Sequence, residues 1–294
     1  MRSALLALLL LRAVSADAIE PSPALGPGAV FAGGLAGPEG LAFTRDGGLI
    51  VGSTTGEIRR LGPDGHATVL ANLGEALAGI TVLRDGRVLA ASFASGGRVW
   101  MVDRDGAASV LASGIPGANF VVETREGRIL ASASLAGTIV DITAGIPLQV
   151  AAGLGFPNGL AIGSGRALGK ARFLYVAETF ANRISRLPMG AGGSLGPAEV
   201  YAIGLPLADG TAFDRQGNLL VAGAGKLFAV VARTREVIQL AADPPLDGPS
   251  NLAFGRGRGF QRRDLYIANF GPQLGNGTTI VRARYSQPGA PLVR

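Results

Sequence analysis

The sequence contains six copies of one pattern, repeated at intervals of 39 to 51 residues. Each copy has a short run of β-forming residues, a link rich in glycine and proline, an apolar strand, a tight turn and two further apolar strands. Four short antiparallel strands in a unit of this size are typical of one propeller blade. We therefore predict an all-β fold, a six-bladed β-propeller with four antiparallel strands per blade.

Tight turns separate the first two apolar strands of most units. Examples are Arg45-Asp46-Gly47 and Arg84-Asp85-Gly86, which have the Asp-Gly chemistry of β-hairpins. Glycine accounts for 46 of the 294 residues, about twice its usual share of ~7%. This composition fits a chain with many short strands joined by tight turns.

The two ends of the repeat array predict how the ring closes. A β run at residues 29–31 precedes the first unit, whereas the last unit ends after its third strand. We expect the N-terminal strand to complete the sixth blade, because this pairing removes an exposed sheet edge. No change of composition marks a second domain, so residues 19–294 are predicted to form a single propeller domain.

The N-terminus has the pattern of a signal peptide. Arg2 is followed by an apolar run over residues 3–11 and by cleavage motifs that end at Ala16 or Ala18. The apolar run is too short to span a bilayer core of about 30 Å. Residues 1–18 are therefore predicted to be a signal peptide, and the mature protein to be periplasmic or secreted, with no membrane insertion after cleavage.

Composition excludes several classes of function. The chain has no cysteine and one histidine, His66, which lies in a turn, so a thiol nucleophile, a zinc-cysteine site and a Ser-His-Asp triad are disfavoured. The net charge of +6 comes from scattered arginines, and aromatic residues make up only 6%. This pattern argues against nucleic-acid binding. The densest arginine group, residues 256–263, is interpreted as a solvated loop, with an acidic partner as the alternative.

One position at the start of the first apolar strand is polar in nearly every unit. Asp, Glu and Asn together account for 29 of the 294 residues, so five polar members among six are unlikely by chance. In a propeller these strands line the central channel, and their starts surround one mouth. Several oxygen ligands around one point suit a divalent cation such as calcium. The alternative is that Asn158-Gly159 and Asp209-Gly210 are turn formers. The six members are predicted to be Glu39, Ala78, Asn119, Asn158, Asp209 and Asn251.

The second strand of each blade returns to the same mouth, so the residues at its end form an outer ring. Glu178 and Asn269 are the candidates for contact with substrate. For Glu178 the alternative is an ion pair with Arg183. The six members of the outer ring are Ser53, Ser92, Ala133, Glu178, Gly223 and Asn269.

Segments 37–40, 156–161 and 208–210 read Gly-Pro-Glu-Gly, Phe-Pro-Asn-Gly-Leu-Ala and Ala-Asp-Gly. With these segments the sequence resembles the gluconolactonase family, which includes senescence marker protein and luciferin-regenerating enzyme, with strictosidine synthase and paraoxonase as distant relatives. The resemblance implies a six-bladed propeller with one divalent cation at the channel mouth. It also implies that Glu39, Asn158 and Asp209 hold the cation, with Asn119 beside it or bound to it.

The sequence departs from this family at two places. Sugar-lactone members commonly carry Arg-x-Asn-Asp-Gly in the third blade, where this chain has Gly117-Ala118-Asn119-Phe120-Val121. The arginine that would bind a sugar hydroxyl or carboxylate is missing, so we expect less polar lactones to be preferred. Phe43 also stands where many members have tryptophan.

These observations predict a metal-dependent hydrolase that acts on a small-molecule lactone or related ester. The cation, calcium or alternatively zinc or manganese, would polarise the carbonyl, and Asp209 would position or activate water. Asn119, Glu178, Asn251 and Asn269 are the candidate substrate-binding residues. One alternative is a non-catalytic exported propeller that binds a ligand or partner at the channel mouth. Another is a metal-free enzyme similar to strictosidine synthase, against which the joint presence of Asn158 and Asp209 argues.

Overall fold

A computed structural model describes residues 22–163, 172–241, 245–273 and 275–291. Within these ranges the chain forms 24 strands in six four-stranded sheets, and all neighbouring strands run antiparallel. Single-turn 3-10 helices lie at Ser134–Ala136, Thr179–Ala181 and Ala191–Gly193. The predicted six-bladed β-propeller is confirmed.

Five blades are each formed by four strands that are consecutive in the chain. The first contains β2 (Pro38–Phe43), β3 (Leu49–Ser53), β4 (Glu57–Leu61) and β5 (Ala67–Asn72). The second contains β6 (Leu77–Val82), β7 (Val88–Ser92), β8 (Gly97–Val102) and β9 (Ala108–Ile115). The third contains β10 (Ala118–Glu123), β11 (Ile129–Ala133), β12 (Thr138–Asp141) and β13 (Leu148–Ala151). The fourth contains β14 (Pro157–Gly163), β15 (Arg172–Glu178), β16 (Arg183–Met189) and β17 (Glu199–Ile203). The fifth contains β18 (Ala208–Phe213), β19 (Leu219–Gly223), β20 (Lys226–Val230) and β21 (Val237–Ala241).

The sixth blade joins the two ends of the chain. Its strands are β22 (Pro249–Phe254), β23 (Asp264–Asn269), β24 (Thr279–Tyr285) and, on the outside, β1 (Leu25–Ala32). β1 pairs antiparallel with β24, and Val30 lies opposite Val281. The predicted closure of the last blade by the N-terminal strand is confirmed.

A β-bulge lies at the start of every inner strand and sets which residue faces the channel mouth. In blade one Pro38 pairs with Ser53, and the register has shifted by one residue when pairing resumes at Leu41. An irregularity of this kind redirects a side chain at the end of a ladder. The same shift occurs in all six blades, so the equivalent residues are the second ones of the inner strands. These column residues are Glu39, Ala78, Asn119, Asn158, Asp209 and Ser250.

The placement of Asn251 in this column is therefore wrong by one residue. Pro249 pairs with Asn269 and Asn251 pairs with Ala268, which leaves Ser250 at the bulge. The run Pro249-Ser250-Asn251 contains two polar residues, and the sequence prediction chose the second, whereas the bulge turns the first towards the mouth.

The apolar core lies between neighbouring blades. Between blades four and five, Tyr175 packs edge-to-face on Tyr201 and Phe213, with ring centroids 4.9 and 5.0 Å apart. Between blades six and one, Phe43 packs on Tyr266 with centroids 5.2 Å apart. These contacts hold the blades in fixed relative positions and so fix the residues at the channel mouth.

The predicted signal peptide, residues 1–18, lies outside the described residues, as do both of its cleavage motifs. Among the helices that the structure describes, none has the length and apolar character needed to cross a bilayer.

Candidate metal centre at the channel mouth

Glycines let the starts of neighbouring inner strands approach closely. A Cβ on Gly159 would lie 2.2 Å from the carbonyl oxygen of Asp209, and one on Gly40 would lie 2.3 Å from that of Ala78. Only glycine allows the backbones to pack at this distance. The close approach brings Asn158 of blade four beside Asp209 of blade five.

Glu39 and Asp209 are two carboxylates in one poorly solvated site. Burial raises the pKa of Glu39 to about 7, although a hydrogen bond from Ser250 opposes the rise. The pKa of Asp209 is raised well above its ordinary value, first by burial and then by the negative charge of Glu39, against hydrogen bonds from Gly210 and Asn158. The residues keep partial solvent access, as expected at the floor of an open channel. Each carboxylate thus disfavours ionisation of the other.

No basic side chain within the described residues forms an ion pair with either carboxylate. Buried charges are otherwise paired with a counter-ion or coordinate a metal, because an unpaired charge in a poorly solvated place is costly. Within the described part of the chain, the two carboxylates therefore lack a positive counter-charge.

Two oxygen atoms at the same place also lack partners. Oε2 of Glu39 and Oδ1 of Asn158 are shielded from solvent and accept no hydrogen bond. The amide of Asn158 is oriented through Nδ2, which donates to Oγ1 of Thr179 at 3.3 Å, and that hydroxyl donates to the carbonyl of Ala208 at 2.8 Å. Buried polar atoms without partners are rare in folded proteins. Unpaired carboxylate and amide oxygens are the ligands that calcium prefers, so these residues fit a divalent cation.

The candidate metal ligands are all oxygen atoms, and only two of the side chains are carboxylates. In the described part of the chain no three His, Cys, Asp or Glu side chains come together as a metal cluster. The candidate centre instead combines the carboxylates of Glu39 and Asp209 with the amide of Asn158. Asn119, buried at the equivalent position of blade three, is the next neighbour of Asn158 around the mouth.

Glu178 and Asn269 lie at the ends of β15 and β23, as predicted for the outer ring, but their polar atoms are engaged within the protein. Arg183 donates to both oxygens of Glu178 at 2.8 and 3.0 Å, and Ser185 and the Gly155 N–H donate as well. Burial alone would raise the pKa of Glu178, but these hydrogen bonds together lower it. The structure therefore has the ion pair that was the alternative for Glu178.

Asn269 is held equally firmly. Its Nδ2 donates to the carbonyl of Pro245 at 2.8 Å and to Oγ1 of Thr279 at 3.0 Å, and its Oδ1 accepts from the Asp247 N–H at 3.0 Å. These contacts tie the link before β22 to the end of blade six. Substrate contact by Glu178 or Asn269 stays a prediction.

Asn251 does not take the column position predicted for it, which Ser250 occupies instead. Oδ1 of Asn251 accepts from the Leu252 N–H at 2.7 Å, and the residue lines a channel cavity of about 680 Å³ that is bordered by Arg45 and Arg215 of the turns at the other end. The Ser250 hydroxyl donates to the carbonyl of Glu39 at 3.1 Å. A proline precedes the column residue in blades one, four and six, and this signal would have identified Ser250.

Solved structures of other proteins share this fold. One similar structure is a gluconolactonase from Xanthomonas campestris, with 19% identity, a TM-score of 0.68, and coverage of 88% of this chain and 90% of that one. A second is a luciferin-regenerating enzyme, with 15% identity, a TM-score of 0.68, and coverage of 87% and 94%. At these identities the likeness shows the fold alone. No curated protein sequence matches the chain.

The sequence itself matches a family. The family model described as the SMP-30/Gluconolactonase/LRE-like region matches residues 35–270. This region includes all six column residues, from Glu39 to Ser250, and the strands that position them. Because the match extends over most of the chain, the protein belongs to the SMP-30/gluconolactonase/LRE-like family.

Proposed function

We propose that the protein is a metal-dependent hydrolase of a lactone or related ester. One divalent cation, calcium in the first place and zinc or manganese as alternatives, would be held by Glu39, Asn158 and Asp209, with Asn119 beside it. The observation that carries the proposal is the pair of poorly solvated carboxylates, Glu39 and Asp209, which have no basic partner among the described residues, together with the unpaired oxygens Oε2 of Glu39 and Oδ1 of Asn158. The family supports a lactonase-type hydrolase with a small-molecule substrate.

A bound cation would supply a Lewis acid that polarises the substrate carbonyl and stabilises the developing oxyanion. The protein's own residues would orient the reactants. The amide of Asn119 would hold the substrate at the rim of the centre. The Ser250 hydroxyl and the Thr179 hydroxyl fix the backbone of Glu39 and the amide of Asn158, so that both residues present their oxygens in one arrangement.

Asp209 is the candidate proton acceptor. A carboxylate oxygen of Asp209 would take a proton from the attacking water as the water oxygen bonds to the carbonyl carbon. When the bond from that carbon to the ring oxygen breaks, Asp209 would return the proton to the departing oxygen. The lactone and one water would thus give one hydroxy acid.

Metal analysis combined with an activity assay tests the proposal. The protein is purified without added metal, incubated with calcium, zinc or manganese, desalted, and analysed for metal content and for hydrolysis of a lactone panel with and without chelator. We expect one ion per chain, loss of hydrolysis in chelator and recovery when the ion is restored. Substoichiometric binding of every ion would remove the mechanism. Full binding without hydrolysis of any lactone would favour a non-catalytic propeller with a structural cation.

A further inference from the structure

The links and turns around the mouth that carries the candidate metal centre have few charges. Six links precede the inner strands and six turns follow the second strands, and their described residues include only two charged ones, Glu75 and Asp247. The turns at the other end of the channel carry many, such as Arg45, Arg84 and Arg215. The two ends of the channel therefore suit different ligands, and the metal end suits an apolar one.

Four apolar side chains stand together on one side of this mouth. The rings of Phe93 and Phe156 lie 6.0 Å apart between centroids, and those of Phe156 and Phe180 lie 4.3 Å apart. Leu135 closes the group, since a Cβ placed on Gly117 would lie 2.7 Å from Leu135 Cγ and 3.2 Å from Phe93 Cε2. Large parts of three of them remain exposed, 69% of Phe180, 54% of Leu135 and 39% of Phe93. We call Phe93, Leu135, Phe156 and Phe180 the aromatic wall.

The aromatic wall stands directly beside the candidate ligand Asn158. Phe156 lies two residues before Asn158, and its carbonyl accepts from the Thr179 N–H at 3.1 Å. Thr179 precedes Phe180 and holds the amide of Asn158 through its hydroxyl. Clustered exposed apolar side chains on a protein surface mark binding sites. A molecule that reaches Asn158 would therefore also contact the wall.

The backbone at Phe156 indicates that its side chain is needed at the mouth. In blades one, three and six the residue two positions before the column residue is a glycine with positive φ, at Gly37, Gly117 and Gly248 (+57°, +65° and +58°). In blades four and five the same turn is made by Phe156 at +61° and Leu207 at +48°. A bulky residue is strained in this conformation and glycine is not. Because three other blades make this turn with an unstrained glycine, the strained backbone of Phe156 and Leu207 indicates a function for their side chains.

Gly117 keeps the blade-three side of the mouth clear. Its φ is +65°, and a Cβ there would also lie 2.9 Å from the Leu135 backbone nitrogen. Any side chain at this position would displace Leu135 from the aromatic wall. The site therefore has an open apolar surface where a polar or charged side chain would otherwise project.

We propose that the aromatic wall binds an apolar substituent of the substrate. The substrate class is then lactones or esters with an alkyl or aryl group, in preference to polyhydroxylated sugar lactones, whose hydroxyl groups would lose water contacts against the wall. This inference rests on the proposed function. Each methylene group fully buried on the wall increases binding by about fourfold.

Chain-length selectivity tests the proposal. The ratio of kcat/KM for γ-nonalactone, which has a pentyl group, to kcat/KM for γ-butyrolactone is expected to be at least about tenfold and to fall about tenfold in Phe180→Ala. Phe156→Gly should lower the ratio as well, and its melting temperature checks the fold. Ile146→Ala is the matched control, because Ile146 is 76% exposed on the turn between β12 and β13, outside the wall. A ratio near one in the wild type, or the same ratio in Phe180→Ala as in the control, would overturn the proposal.

Calorimetric binding of 2-pentylcyclopentanone and cyclopentanone, which have no hydrolysable bond, separates the aromatic wall from the chemistry. We expect the pentyl compound to bind at least about tenfold more tightly, and Phe180→Ala to remove that difference. If the protein shows this binding difference but hydrolyses no lactone, the proposed reaction is refuted and the proposed binding surface stands. Equal binding of both ketones would refute the surface, whatever the hydrolytic activity.

Discussion

Replacement of Glu39 by Gln should stabilise the metal-free protein at alkaline pH. Burial raises the pKa of Glu39 from 4.5 to about 7, so the folded state holds a proton that the unfolded state has already released. This contribution to stability is complete below pH 4.5 and is lost as the pH rises through 7. A difference of about 2.5 pKa units corresponds to about 3 kcal/mol in the free energy of unfolding. Glu39→Gln removes this loss because its amide does not ionise.

Urea unfolding in the presence of a chelator measures the effect. At pH 8 Glu39→Gln should exceed the wild type by about 3 kcal/mol, and at pH 5 most of that difference should disappear. Saturating calcium should reverse the order, since an ion at a thousand times its Kd adds about 4 kcal/mol to a protein with an intact site. If wild type and variant show the same pH dependence in chelator, the carboxylates of Glu39 and Asp209 are not the uncompensated pair described above.

Glu126→Gln is the matched control, because it removes a carboxylate with the opposite shift. Hydrogen bonds from Arg172 lower the pKa of Glu126 to about 2, and the two side chains form an ion pair near the surface. The contribution of Glu126 is therefore present above pH 4.5 and is lost as the pH falls through 2. The variant should lose a little stability at pH 8, where Glu39→Gln gains. A gain in both variants would indicate a general effect of reduced charge.

Three further outcomes are expected. Asp209→Asn should lower turnover by about 10²-fold or more with the fold intact, whereas the control Ala78→Ser should leave metal binding and turnover nearly unchanged. Full hydrolysis by Asp209→Asn with normal metal content would show that Asp209 is a ligand only. Calcium affinity, followed by titration calorimetry, should fall by up to about tenfold per pH unit below 7 because protons compete at Glu39, and a flat profile would exclude that competition. A chain that starts at Gly34 lacks β1 and should aggregate and melt earlier, because the edge of β24 is exposed, so an unchanged melting temperature would contradict the role of β1 in closure.

The fold and most of the column could be predicted from the sequence because both depend on local signals. Turns such as Asp46-Gly47 and Asp85-Gly86 mark the hairpins, and the register of a short blade follows from them. Glu39, Asn158 and Asp209 each stand one residue before a glycine, which marks the close approach of neighbouring strands. In blade six Asn251 takes the place of that glycine, so this marker is missing there, and only the preceding proline, which blades one and four share, indicates Ser250.

Other parts of the site depend on contacts that no local pattern encodes. The carboxylate of Glu178 could either pair with Arg183 or contact substrate. The ion pair is favoured because the fold brings two further donors, Ser185 and the Gly155 N–H, to the same carboxylate. The aromatic wall joins three blades and includes Phe156 in a backbone conformation that sequence patterns assign to glycine. Such features become visible only when distant turns are placed around one mouth.

The pairing of β1 with β24 determines when the ring can be completed. The Ser286 N–H donates to the carbonyl of Ala24 at 2.9 Å, so the two ends of the propeller lie side by side although about 250 residues separate β1 from β24. During synthesis blade six cannot form until nearly the whole chain has been made, and β1 has no partner until then. The adjacency of the first and last strands also makes the propeller suitable for circular permutation. A permuted chain that joins the present ends and opens between two other blades would make all four strands of blade six consecutive, and its last blade should assemble faster because its contacts are local.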